Sequence, residues 1–121
     1  MGKHLSLLRR LTASASHLDA EQLREEVEQR ACVPLRDLQP GTYAQVVGRL
    51  RAVVYTPSET VPTLEAELFD GYDSIDLVWL GRRRIAGLEP GRRVEARGRV
   101  GEHQGRKAIY NPWYELLQPG A

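Results

Sequence analysis

Between residues 44 and 116 apolar side chains recur at every second position. AQVVGRLRAVVY sets Val46, Gly48 and Leu50 on one side and Val47, Arg49 and Arg51 on the other. That is the alternation of a half-buried strand. TLEAELFD repeats it, with Leu64, Ala66 and Leu68 inward and Glu65, Glu67 and Phe69 outward. SIDLVWL sets Ile75, Leu77 and Trp79 against Asp76, Val78 and Leu80, which gives Trp79 the core phase but leaves its burial open. RRVEARGRV points Val94, Ala96, Gly98 and Val100 inward and Glu95, Arg97 and Arg99 outward. RKAIY closes the series with Ile109 inward and Tyr110 outward, and Pro112 ends its pairing because proline has no amide proton to donate. Pro40-Gly41, the two-proline stretch TPSETVP, Asp70-Gly71, Pro90-Gly91 and GEHQG punctuate the strands with turns. The pattern predicts a mainly β chain of five short strands closed into a small barrel. Gly48 suits the bulge or sharp bend that closure needs, and Ala96 and Gly98 suit a narrow interior. GRRRIAGLEPG reads as a link with one helical turn, anchored by Ile85 and Leu88.

The period changes toward the N-terminus. In HLDAEQLREEVEQRA, Leu23, Val27 and Arg30/Ala31 fall at helical spacing. Asp19 with Gln22 predicts a capping box, and Leu18 with Leu23 a hydrophobic staple. Pro34 is the expected stop. Leu5, Leu8, Leu11 and Thr12 suggest a shorter helix over 5–12, joined by Ala13–Ser16. The expected organisation is an N-terminal helical segment over 1–36 and a barrel over 37–121, with Leu35 and Leu38 tucked beneath it. The helix either covers an open end of the barrel or docks a partner protein or a second copy of the chain.

Composition narrows the chemistry. Net charge is +1, but the charge is unevenly spread. Residues 41–80 hold two arginines, Arg49 and Arg51, against six acids: Glu59, Glu65, Glu67, Asp70, Asp73 and Asp76. Residues 81–121 hold nine basic side chains against four acids. A basic patch on a near-neutral molecule is the form a modest anion binder takes. The single cysteine, Cys32, excludes an internal disulfide and a cysteine-built zinc site, and reads as a small half-buried residue. His4, His17 and His103 are not at ligand spacing, so no metal is expected. Asp70, Asp73 and Asp76 lack the glycine and terminal glutamate of a calcium loop. No motif sets a nucleophile beside a base, so the chain reads as non-catalytic and free of cofactors. No apolar run is long enough for a membrane span, and Arg9 and Arg10 interrupt the apolar start. Gly2 and Ser6 fit a loose myristoylation pattern, but the arginine bias (Lys3 and Lys107 are the lysines) points to a bacterial genome, where that signal has no use. A cytoplasmic location is the expectation.

Segment 44–115 resembles the OB-fold nucleic-acid-binding domains related to the wedge domain of the RecG branched-DNA helicase, and is similar to the tRNA-anticodon type of OB domain. VVGRL, ELFDGYDSIDLVWL, GLEPGRRVEARGRV and GRKAIYNPWYE carry the likeness. The resemblance implies a five-stranded OB-type Greek-key barrel with an N-terminal helical appendage, and a ligand of single-stranded or branched nucleic acid, DNA ahead of RNA. No ATPase or aminoacylation motif occurs in the sequence. Glu65 and Glu67 depart from what a phosphate-binding strand needs.

Nucleic acid requires cations for phosphates and flat rings for bases. Arg49, Arg51, Arg82, Arg83, Arg84, Arg97, Arg99, Arg106 and Lys107 are the candidate cations, and Phe69 and Tyr110 the candidate stacking rings. The first and fourth strands pair in an OB barrel, so Arg49/Arg51 and Arg97/Arg99 form one stripe in this reading. Trp113 and Tyr114 fall past the last strand, over an open end. The competing reading is a protein-interaction module, which the outward Glu65 and Glu67 and the low net charge also suit.

Overall fold

In the computed structural model, which describes residues 17–118, the chain forms a closed barrel with a helix on its outer wall. The strands are β1 (Tyr43–Thr56), β2 (Thr63–Phe69), β3 (Ser74–Leu80), β4 (Arg93–His103), β5 (Arg106–Tyr110) and β6 (Trp113–Leu116). They run β1-β2-β3-β5-β4, and β4 returns to β1 to close the ring. β3 and β5 pair parallel, and every other pairing is antiparallel. This is the OB topology that the alternation and the resemblance led us to expect.

The inward residues named from the sequence fill the core. Val46, Leu50, Leu64, Leu68, Ile75, Leu77, Val94, Val100 and Ile109 are buried in one cluster, with Ile85 and Leu88 from the β3–β4 link. Trp79 is 4% exposed and meets Tyr114 edge-on at 5.6 Å. Gly98 must be glycine, since a Cβ there runs into the Ile109 side chain. The tight two-residue turn Gln104-Gly105, both at positive φ, is the primed hairpin that GEHQG predicted.

Four local expectations change. A sixth strand, β6, carries Trp113 and Tyr114. It pairs with β4 from Val94↔Leu116 to Arg97↔Trp113, in register with the amides that β5 has left free. The β1 irregularity falls at Arg51, not Gly48: the β1–β2 register slips between Leu50 and Ala52. Gly48 instead permits a close approach, since a Cβ there meets the Phe69 carbonyl. The β3–β4 link holds turns rather than a helical turn. Asp19 is no N-cap, because the chain is already helical at residue 17.

The helix, α1, spans 17–29 of the described residues. It ends before Pro34 has any influence. Ala31 takes a left-handed φ of 54°, with Cys32 N donating to Val27 O at 3.0 Å and Ala31 N to Glu28 O at 3.1 Å. These are the two bonds of a Schellman cap. Leu23 and Val27 are buried as their spacing predicts. Val27 and Cys32 pack with Val47 and Leu117 into a second, smaller cluster on the outside of the barrel. Arg49–Asp19 (3.0 Å), Arg93–Glu26 (3.0 Å) and Arg30–Glu95 (3.4 Å) rivet α1 to β1 and β4. So α1 lies against β1 and β4 and, through Ala20 and Arg24, against the β2–β3 turn at Gly71, with Leu23 and Val27 buried on its own barrel. The short 3-10 turn Leu35–Asp37 brings Leu35 and Leu38 into the main core. The segments 5–12 and 13–16, with Gly2 and Ser6, lie outside the described residues. No helix among the described residues is long and apolar enough to cross a membrane.

Candidate nucleic-acid interface

The outer face of β1 (beyond its bulge), β2, β3 and β5 is set by register. Rows across it read Val54–Glu65–Val78–Tyr110, Ala52–Glu67–Asp76–Ala108 and Thr63–Leu80. Directly paired residues share a face, so each row projects to the same side. In OB barrels the β2–β3 face, flanked by the β1–β2 and β4–β5 loops, is the usual ligand surface.

Its middle is occupied by the protein's own ion pairs. The β4–β5 hairpin leans over it: His103 Nε2 lies 2.7 Å from Glu65, and His103 Nδ1 lies 2.9 Å from the Tyr110 hydroxyl. That hydroxyl donates to the Glu102 carbonyl at 3.0 Å. Arg106 donates to Asp76 at 3.1 Å, to Glu67 at 3.2 Å and to Ser74 Oγ at 3.0 Å. Beneath this network Val78 and Ala108 are fully buried although they point away from the core. Glu65 and Glu67, the two acids that argued against a phosphate path, and Asp76 beside them are therefore met by a histidine and an arginine. Arg106 is correspondingly committed to carboxylates and not free for phosphate. Tyr110 keeps part of its ring exposed, but its hydroxyl is tied down.

The other sequence-selected residues are scattered around this face. Arg51, the bulge residue, stacks over the half-buried Phe69 ring at 3.5 Å. Arg82, Arg83 and Arg84 are all exposed, and none makes an ion pair among the described residues. Their loop is fastened at its root, where Gly81 N donates to Pro62 O at 2.7 Å, and the exposed Val61 and Leu80 flank it. Leu80 N is held in turn by Asn111 Oδ1 at 3.0 Å. Lys107 shares the inward phase of Ile109 and so departs from Tyr110 and Arg106.

The single arginine stripe across β1 and β4 does not form. Arg49 is turned into the α1 contact, bonded to Asp19 and to Gly91 O. The bulge sends Arg51 to the β2 side. Arg97 lies over the Trp113 ring at 4.3 Å and reaches the buried Glu95 at 3.5 Å. Arg99 donates to Gly41 O at 2.7 Å. Sequence reasoning missed His103, dismissed for want of metal spacing. The outward phase of Glu65 and the hairpin signal around Gln104-Gly105 would have brought the two together. It also passed over Tyr43, whose outward phase follows from Ala44 and Val46.

No protein-family model matches the chain, and no curated protein does. Among solved structures, the chain is similar to RecG bound to a three-way DNA junction, at 24% identity and a TM-score of 0.59. The likeness covers 73% of this chain and 13% of that one, so the chain spans a small part of RecG's length. What the barrel shares with that part of RecG is its fold, an OB-type barrel.

Proposed function

We propose that this chain is a non-catalytic OB module that binds single-stranded or branched DNA with little sequence preference. The observation that carries the reading is the loop Arg82–Arg84: three adjacent exposed guanidiniums, without ion-pair partners among the described residues, at the end of the β2–β3 face. Like charges stay clustered on a surface at an electrostatic cost, and an anionic ligand removes that cost. The fold likeness to RecG, which in that structure is bound to a DNA junction, supports the same reading. Arg51 over Phe69 offers a second cation with a ring at the opposite end of the face. Between them Arg106 and His103 cover the acids, so a strand crossing the face meets no bare carboxylate at Glu65, Glu67 or Asp76.

Fluorescence anisotropy of a labelled single-stranded 20-mer tests it, followed by a forked DNA and an RNA of the same sequence. We expect a Kd of about 1–100 μM at moderate salt, typical of sequence-independent contacts. Changing Arg82, Arg83 and Arg84 together to alanine weakens binding about tenfold for every sequence alike. Equal affinity of the triple variant rules the loop out. Failure of the intact protein to bind at low salt rules the function out and leaves protein interaction as the remaining role.

A further inference from the structure

The opposite wall of the barrel carries a second surface. The strand pairs Tyr43↔Arg99, Gln45↔Arg97 and Arg97↔Trp113 set Tyr43, Gln45, Arg97, Arg99 and Trp113 on one outward face of β1, β4 and β6. Tyr43 is 68% exposed and Trp113 46%. These are large rings to leave in water on a strand that had the option of a small polar residue. The two guanidiniums lie between them, with Arg97 already stacked on Trp113 and Arg99 held toward the chain by Gly41 O. Arg99 makes no ion pair among the described residues. Glu95 is 5% exposed and engaged by Arg30 and Arg97, so it offers little negative field. The exposed Glu115, beside Glu95 in register, bounds the surface on the side toward α1.

Strand spacing and rise put the Cα atoms of Tyr43 and Trp113 about 12 Å apart, on the two neighbours of β4 and two positions offset along it. Flat rings carried on such positions, with cations between them, match what an unstacked strand of nucleic acid presents: exposed base faces joined by phosphates. A duplex hides its base faces in its own stack, and an acidic peptide has no use for the rings.

We infer that Tyr43, Arg97, Arg99 and Trp113 form a stacking platform for single-stranded nucleic acid, separate from the Arg82–Arg84 loop. Bases lie on Trp113 and Tyr43, Arg97 stays paired to Glu95 beside the Trp113 ring, and Arg99, which has no ion pair among the described residues, takes the intervening phosphate. A branched ligand then has two attachment surfaces, one for a backbone at the loop and one for an unpaired arm at the platform. The inference rests on the proposed nucleic-acid function and adds a second surface to it.

The protein reports on the platform itself, because its other tryptophan, Trp79, is core. Unlabelled dT20 is expected to quench tryptophan emission, and a 20-base-pair duplex is not. Trp113→Ala and Tyr43→Ala, both at exposed sites, each weaken dT20 binding by about tenfold, in the range of one lost base stack. Circular dichroism and thermal melting check that each variant is folded, and either one suffices if the other is not. Anisotropy binding that persists undiminished in these variants, with no quenching in the intact protein, overturns the platform and leaves the loop function standing. Absence of any dT20 binding overturns both. Quenching by the duplex equal to that by dT20 overturns the stacking account.

Discussion

Asp70 orders two segments at once. It is fully buried, at the β2–β3 turn, and its carboxylate accepts from Leu35 N at 2.8 Å, Tyr72 N at 2.9 Å and Asp73 N at 3.0 Å. One group thus shapes the turn and fixes the 3-10 segment that plugs the barrel. Asp70→Ala leaves three amides without an acceptor and is expected to cost about 2–4 kcal/mol in urea unfolding. Asp70→Asn, which keeps one acceptor oxygen, loses less. Cys32 is a quieter case. Burial first, and then the neighbouring Glu95 carboxylate, push its thiol up to about 11. A pKa raised on folding favours the protonated thiol in the native state. Stability is therefore intact below about pH 9, the ordinary thiol value, and falls as pH rises through about 11. At pH 8 the native protein should react with a disulfide reagent far more slowly than the urea-unfolded chain. Equal rates would contradict the buried thiol.

Among the elements, α1 and β1 show how a local feature becomes a site. The Schellman cap turns the chain at Ala31 so that Cys32 and Val27 meet Val47, and the charged flank of α1 then claims Arg49 and Arg93. Ala31 pays a left-handed backbone cost that glycine does not. Ala31→Gly, at an exposed position, should stabilise the protein by about 1 kcal/mol, read as a higher urea midpoint at unchanged slope. A lower midpoint would show that the Ala31 methyl has a packing role. In β1 a single extra residue reverses the phase of the strand. Arg49, directly opposite Phe69 before the bulge, is bonded to Asp19 of α1, and Arg51, the bulged residue, stacks on Phe69. The two cations that plain alternation placed together are thus committed to different partners.

For the molecule as a whole, a net charge of +1 means weak long-range attraction for an anion. The nucleic-acid binding proposed above would have to come from a few local contacts, and salt reports how many. Each phosphate contact to a single strand contributes about −0.7 to the slope of log K against log salt. The three loop arginines thus account for a slope of about −2, and their joint removal flattens it by that amount in the anisotropy titration. Two surfaces on opposite walls of one small barrel also suit a ligand that divides more than a straight strand.

The closed barrel was readable from period-two alternation because a small core demands one apolar face per strand: Leu64, Leu77 and Val94 could hardly point anywhere but inward. Turns at Asp70-Gly71 and Gln104-Gly105 were readable because their backbone shapes favour few residues. The outward faces were not. Which cation stays free depends on partners far away in the chain: Arg49 meets Asp19, Arg93 meets Glu26, and Arg106 meets Glu67 and Asp76. A charge count over a segment carries no record of those pairings. The sixth strand and the Tyr43–Trp113 platform were hidden for the same reason, since they arise where β4 finds a new neighbour after β5 ends. Core positions follow from local chemistry, because water repels them wherever the strand lies. Surface positions acquire their roles when folding brings distant side chains within a few ångströms.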